Sequence, residues 1–138
     1  MPFIRKSEAT VHEVHGGRFL SYVRPATGSR ELAAWEVEIP AGAAGPAHVI
    51  SEEETFLVLS GRVRLTIDTE GAELVAGDAA VAPAGSALGV ANAGDGPARM
   101  WVTTRVGLTA ELAGGGCFVP PWANGTPEAE EPVVGAGR

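Results

Sequence analysis

The stretch GAAGPAHVISEEETFLVLSG, residues 42–61, carries the spacing that decides the fold. Gly42 is followed after five residues by His48, His48 after five by Glu54, and Glu54 after six by Gly61. The glycines mark turns at both ends, and the β-branched and aromatic residues after Glu54 are typical of a strand. The stretch therefore places one histidine and one carboxylate ahead of a strand predicted at residues 55–59, between two turn-forming glycines.

The segments on either side of this stretch have the two-residue period of strands. Residues 35–39 alternate apolar with acidic side chains, and residues 62–68 alternate polar with apolar ones. Such alternation indicates strands with one face on a core. Turn-forming residues at 69–71 precede the apolar pair at 74–75 and predict a hairpin.

Proline and glycine interrupt the rest of the chain every few residues, which leaves segments too short for ordinary helices. No segment has a sustained helical period. The chain is therefore predicted to be all-β, as a sandwich or a closed barrel, because closure removes exposed strand edges. Further strands are predicted at residues 19–23, 55–59, 79–82, 88–91 and 100–106.

A second stretch, GDAAVAPAGSALGVAN at residues 77–92, completes a pair of motifs. Together the two stretches resemble the motif pair of the cupin family, with the glycines, the proline and the asparagine at the family's spacing. The resemblance covers residues 32–106 and implies a conical antiparallel β-barrel, also called a double-stranded β-helix or jelly roll. It further implies a small-molecule pocket at the barrel mouth and frequent pairing into dimers.

The length of 138 residues suits one domain. We predict a single cupin domain over residues 1–124, in which the closing residues 120–123 also resemble the C-terminal segment of small cupins. The acidic, turn-rich residues 125–138 are predicted to form a flexible tail.

Two of the four metal-ligand positions of the cupin motifs are altered in this sequence. His48 and Glu54 match the family's pattern, whereas Ile50 and Leu88 stand where it has histidines. Transition-metal sites need three or four donors that converge on one point, and an aliphatic side chain donates nothing. The sequence therefore predicts a degenerate site with no metal and no other cofactor.

An alternative keeps a metal by rebuilding the ligand set. His12 and His15 near the N-terminus and Cys117 beyond the last core strand are the available donors. A site completed by them and by water would support dioxygenase-like or hydrolytic chemistry. Nothing in their spacing points at the centre, so we favour surface histidines and an ordinary thiol.

The resemblance implies that Glu54 and His48 still project into the barrel, now walled by Ile50, Leu88 and Phe56. Desolvation raises the pKa of a carboxyl placed there, whereas a nearby imidazolium lowers it. Such a pair is suited to general acid–base catalysis of isomerisation, dehydration or cyclisation. The competing interpretation is that the two residues only hydrogen-bond each other or the backbone.

Aromatic residues on the strands are the other candidates for a binding role. Trp35, Phe56 and Trp101 are positioned to form a flat wall for a ring-bearing ligand, with Ile50 and Leu88 beside them. Aromatic residues at strand positions also simply fill cores. The sequence leaves both interpretations open.

These features favour a metal-independent cupin that binds a small, largely apolar or aromatic molecule. Its reaction would be of isomerase, lyase or cyclase type in secondary metabolism, with Glu54 and His48 as the acid–base pair. The alternative from another class is a non-catalytic binding or sensor protein that keeps the pocket without the chemistry.

Charge and cysteine content restrict the partners and the location. The net charge of −7 repels nucleic acid and anionic lipid, and the apolar runs are too short to span a bilayer. The single cysteine and the absence of an apolar N-terminal run predict a cytoplasmic protein. We expect a homodimer, because small cupins commonly pair.

Overall fold

The structure is a computed structural model that describes residues 3–124. The predicted tail at 125–138 lies outside the described residues. Twelve strands account for most of the described chain, and they are followed by a short helix, α1, at Pro121–Asn124. The strands are β1 Thr10–Val14, β2 Gly17–Val23, β3 Leu32–Ile39, β4 His48–Ile50, β5 Glu54–Ser60, β6 Arg62–Ile67, β7 Glu70–Val75, β8 Ala79–Ala82, β9 Ala87–Asn92, β10 Ala98–Arg105, β11 Ala110–Leu112 and β12 Cys117–Phe118.

The strands form two six-stranded antiparallel sheets. One has the order β1-β2-β3-β10-β5-β8 and the other the order β12-β11-β4-β9-β6-β7. Consecutive strands such as β4 and β5 lie in different sheets, so the chain crosses repeatedly between the two layers. The arrangement is a jelly roll, and the prediction of an all-β cupin-type fold is confirmed.

The two-residue period of the sequence decides which side chains enter the core. In β3, Trp35, Val37 and Ile39 belong to the core, which includes residues from both sheets. Glu36 is also buried, but its carboxylate pairs with Arg99. In β6, Val63 and Leu65 are buried, and the arginines that alternate with them are exposed. Burial of the apolar face against the opposite sheet is therefore what fixes the register of these strands.

The hairpin predicted after residue 68 is present, but its turn lies earlier than expected. Asp68 adopts a left-handed conformation, with φ of 55°, and the turn comprises Asp68 and Thr69. Glu70 and Gly71 already belong to β7, where Gly71 is paired with Thr66. Asparagine and aspartate tolerate this conformation better than most residues, which is why a tight turn forms one step sooner.

Two motif residues have structural reasons for their identity. Gly61 has φ of +80°, and a Cβ atom at this position would lie 2.6 Å from the carbonyl oxygen of Pro97. The side-chain amide of Asn92 donates to the carbonyl oxygens of Ile39 at 2.9 Å and Gly96 at 2.8 Å. The bond to Ile39 joins the two sheets, because Asn92 belongs to β9 of one sheet and Ile39 to β3 of the other.

Within residues 3–124, no helix has the length and apolar character needed to cross a membrane.

Candidate functional site

A cavity of about 130 Å³ lies inside the barrel, between the two sheets. Strands β2, β3, β5 and β10 of one sheet and β4, β9 and β11 of the other contribute to its wall. Its exposed lining residues are His15 in the β1–β2 turn and Ala44–Pro46 in the loop before β4, so the cavity opens between these two segments. The lining is almost wholly apolar.

Glu54 is the carboxylate of this cavity. It is the first residue of β5, where it pairs with Thr104 on one side and Ala82 on the other, and only 4% of it is exposed. Burial raises the pKa of Glu54 to about 8, because desolvation disfavours the carboxylate. Within the described part of the chain, its carboxyl group forms neither a hydrogen bond nor an ion pair. Glu54 is therefore protonated at neutral pH and free to bond a ligand.

His48 begins β4 and lines the cavity close to its opening. Its Nδ1 atom lies 3.1 Å from the carbonyl oxygen of Pro46. A carbonyl oxygen can only accept a hydrogen bond, so Nδ1 must carry the hydrogen and donate it. In the neutral ring this leaves Nε2 with a lone pair, and His48 is held in the tautomer that can accept a proton at Nε2.

No hydrogen bond joins Glu54 to His48 among the described residues. The competing interpretation was that Glu54 and His48 only hydrogen-bond each other or the backbone. Of these bonds, the described part of the chain contains one, from His48 to the carbonyl oxygen of Pro46. A hydrogen bond between Glu54 and His48 would have left neither side chain available to a ligand. The arrangement instead presents a donor, Glu54, and an acceptor, His48, to one apolar cavity.

The aromatic and aliphatic residues predicted for the wall fall into two groups. Trp35, Phe56 and Leu88 line the cavity as expected. Ile50 lies on the same face of β4 as His48 and is fully buried, but it packs into the core and does not line the cavity. Because the core fills this position, the aliphatic replacement at residue 50 removes a donor without adding a contact surface for a ligand.

The placement predicted for Trp101 is wrong. It pairs in β10 with Glu36 and Leu57, on the outer face of the sheet, and its ring lies 5.2 Å from that of Tyr22. Its neighbours Met100 and Val102 line the cavity in its place. Side chains alternate across a strand, so residues 100 and 102 face inward only if Trp101 faces outward.

The largest aromatic surface of the cavity comes from residues that the sequence interpretation did not assign to the site. Trp122 of α1 stacks on Phe19 of β2, with ring centroids 4.0 Å apart and an interplanar angle of 14°. Trp35 meets the same indole edge-on at 6.4 Å, and Phe118 lies 5.6 Å from it. One signal in the sequence could have indicated this role of Trp122. It lies in the turn-rich closing segment, and no turn requires a tryptophan.

The residues present do not fit the metal centre that the fold implies. Ile50 and Leu88 remove two of the four donors, and His48 and Glu54 alone cannot complete a three- or four-donor set. Among residues 3–124, no three histidine, cysteine, aspartate or glutamate side chains come together as metal ligands. Of the replacement donors that we considered, His15 lines the cavity opening and Cys117 is exposed on β12.

The third replacement donor, His12, lies with its ring 6.0 Å from that of Trp122 and does not line the cavity. The rebuilt ligand set is therefore not assembled in the described residues, and no catalytic step is derived through a metal.

Comparisons with known proteins agree with this architecture. The family model described as "Cupin domain" matches residues 35–104. The polyketide cyclase RemF from Streptomyces resistomycificus is 19% identical, with a TM-score of 0.66 over 76% of this chain and 79% of that one. A sugar phosphate isomerase of the cupin superfamily from Silicibacter pomeroyi is 18% identical, with a TM-score of 0.68 over 93% of this chain and 99% of that one.

A predicted oxalate decarboxylase from Thermotoga maritima has a TM-score of 0.64 and 18% identity over 75% of this chain and 97% of that one. At these identities the solved structures establish a shared fold and nothing about substrate. No curated protein matches the sequence.

Proposed function

The chain belongs to the cupin domain family, and from its cavity we propose a metal-independent protein that binds a small, largely apolar or aromatic molecule and transfers protons on it. Glu54 is the acid and His48 is the base. The reaction would be of isomerase, lyase or cyclase type and would serve secondary metabolism. The apolar and aromatic lining of the cavity supports a ring-bearing natural product as the substrate.

The observation that carries the proposal is the buried Glu54 carboxyl without a partner. A protein that only needed to fill its core would gain stability from an apolar residue there, because burying an unpaired polar group costs about 1–3 kcal/mol. With its pKa raised to about 8, Glu54 holds a proton at neutral pH and can release it to a bound ligand.

The chemistry that the pair supports is enolisation of a carbonyl compound. The Glu54 carboxyl proton moves to the carbonyl oxygen, and His48 Nε2 takes a proton from the adjacent carbon. The C–H electron pair becomes the C=C bond of the enol, which leaves a Glu54 carboxylate and a His48 imidazolium. Where the enol is conjugated with a second C=C bond, return of the His48 proton to the far carbon gives isomerisation. Loss of a β-hydroxyl together with the His48 proton releases water and gives dehydration, and attack of the enol carbon on a second carbonyl, whose oxygen takes the His48 proton, gives cyclisation. In each case the enol O–H proton returns to Glu54.

A second candidate is a non-catalytic binding or sensor protein. The observation that favours it is the aromatic lining to which Phe19 and Trp122 contribute, which offers apolar contact surface without a titratable group. Such a protein would bind a ring ketone and release it unchanged. A third candidate, a metal-dependent cupin with dioxygenase-like chemistry, would depend on donors that the described residues do not assemble.

Proton exchange distinguishes these candidates before the substrate is known. In D₂O, the protein is expected to accelerate replacement of the α-hydrogens of a bound ring ketone such as cyclohexanone, followed by proton NMR. Dialysis against a chelator should leave the rate unchanged. Binding without acceleration would favour the non-catalytic candidate, and activity lost with the chelator and restored by Fe(II), Mn(II) or Zn(II) would favour the metal-dependent one.

We propose a homodimer formed through the outer face of the sheet that contains β3, β10, β5 and β8. Leu57 and Val81 lie on this face with 39% and 55% of their surface exposed, next to the half-buried Trp101. Exposed apolar patches of this kind mark protein interfaces. Sedimentation should give twice the chain mass of 14.1 kDa, and a monomer at all concentrations would contradict the proposal.

We also propose a single domain over residues 1–124, a cytoplasmic location and no nucleic-acid partner. The net charge of −7 supports the last of these, because it opposes contact with phosphate backbones. The exposed free thiol of Cys117 supports a reducing compartment. Fractionation of cells that express the tagged chain would test the location directly.

A further inference from the structure

The cavity contains no side chain that could balance the charge of an anion. Neither lysine nor arginine lines it within the described residues. On the sheet that carries Trp35, Arg18 and Arg99 face the outside, where Arg18 pairs with Glu38 at 2.8 Å and Arg99 with Glu36 at 2.6 Å. Arg24, which follows β2, is buried, but it donates to the hydroxyl of Ser21 and does not line the cavity. A carboxylate or phosphate inside the cavity would lose its hydration without gaining an ion pair, which is strongly unfavourable.

The two histidines of the cavity do not change this conclusion. His15 is exposed in the β1–β2 turn, and His48 is half-buried and tied to the backbone of Pro46. Both therefore lie towards the opening. The deeper wall consists of Glu54 and apolar residues, so an anion that reached it would meet either a neutral acid or a second negative charge.

The size of the cavity sets the size of the group that it encloses. Its volume of about 130 Å³ is close to that of an engineered apolar cavity of about 150 Å³ that takes up benzene. Aromatic side chains, among them Trp122, line the cavity and offer apolar contacts to a ring. One six-membered ring fits inside, and any further part of a ligand must extend between His15 and Pro46.

Hydrogen bonding specifies one polar atom on that ring. The protonated Glu54 has an O–H donor and finds no acceptor in the described protein. A carbonyl oxygen on the enclosed ring would accept this bond and compensate the donor's burial. A plain hydrocarbon would leave it unsatisfied.

We infer that the ligand is an uncharged molecule whose enclosed part is a single six-membered ring with a carbonyl oxygen that accepts a hydrogen bond from Glu54, and that the cavity rejects carboxylates and phosphates. The inference rests on the proposed binding function and adds the substrate class. Under it, the phosphate named for one structural neighbour and the oxalate named for another do not fit this cavity.

Intrinsic fluorescence provides a direct binding assay that is independent of turnover. Two of the three tryptophans, Trp35 and Trp122, line the cavity, and Trp101 lies outside it. In the Trp101→Phe variant, all tryptophan emission therefore reports on the cavity wall. The matched probes are cyclohexanone, methylenecyclohexane, cyclohexanecarboxylate and cyclohexyl phosphate, which share the ring and differ in the substituent.

At pH 7 cyclohexanone is expected to bind at least about tenfold more tightly than either anion, because the anions lose hydration without compensation. It should also bind several-fold more tightly than methylenecyclohexane. This second preference should disappear above about pH 8 in the parent protein and persist in Glu54→Gln, whose amide still donates. Besides Glu54, the titratable groups that line the cavity are His15 and His48. The strand partners of Glu54, Ala82 on β8 and Thr104 on β10, carry no titratable group.

The outcomes separate this inference from the proposed catalytic function. Equal or tighter binding of the carboxylate or phosphate would overturn the inference and leave the acid–base proposal standing. Quenching by none of the four probes would also overturn it. Tight, selective binding of cyclohexanone without α-hydrogen exchange would support the inference and contradict the catalytic proposal.

Discussion

Replacing Glu54 by Gln is expected to slow enzyme-dependent α-hydrogen exchange of a bound ring ketone by about 10²–10⁴-fold, the usual contribution of a general acid or base. The amide keeps the size of the side chain and can still donate a hydrogen bond, so ketone affinity at pH 7 should change little. The amide cannot release a proton to the carbonyl oxygen. The loss should therefore appear in the rate at saturating ketone, measured by NMR in D₂O.

The neighbouring Glu53 provides the matched control. It is exposed, it does not line the cavity, and it differs from Glu54 by one position in the same acidic run. Glu53→Gln makes the same change of side chain and should exchange α-hydrogens at the parent rate. An unchanged rate in Glu54→Gln, with ketone affinity intact, would show that Glu54 is not the acid.

Much of the fold could be predicted because its strands have clear alternation. Residues 62–67 alternate arginine or threonine with apolar residues, and β6 forms there with the apolar residues inward. The short strands β4, β11 and β12 were not predicted, since two or three residues are too few for a period to appear. These strands are fixed by pairing across the sheet, as when Ala110 of β11 pairs with Ile50 and Phe118.

The position of Trp101 was unpredictable for a related reason. In β10 the sequence Met100-Trp101-Val102 is apolar at three successive positions, so alternation cannot tell the inward from the outward face. The outer face carries apolar residues of its own, including Leu57 beside Trp101 and the exposed Val81. A strand with two apolar faces loses the signal that polar residues give elsewhere.

The motif located the carboxylate of the site, Glu54. It could not show that this carboxylate forms no hydrogen bond with His48. The resemblance of residues 42–61 to the cupin motif implied that Glu54 faces inward. Whether it meets His48 depends on where the imidazole is held, and the carbonyl oxygen of Pro46 holds it near the opening. That bond depends on the loop conformation before β4, which local sequence does not specify.

The same substitution should remove the loss of stability that rising pH causes through Glu54. An unfolded glutamate releases its proton near pH 4.5, whereas folded Glu54 keeps its own until about pH 8. Between these values the folded state holds more protons than the unfolded state, so stability falls as pH rises. Relative to Glu54→Gln, the free energy of unfolding of the parent protein should fall by about 1.4 kcal/mol per pH unit, or about 5 kcal/mol in all.

Denaturant unfolding of both proteins at pH 5, 7 and 9 measures this difference. The comparison with the variant isolates the contribution of Glu54, and any constant cost of burying the amide cancels between pH values. Glu53→Gln should follow the parent curve, because an exposed carboxylate has little burial to lose. Parallel curves for the parent and Glu54→Gln would mean that the carboxyl is solvated, which would remove the physical basis for its role as an acid at neutral pH.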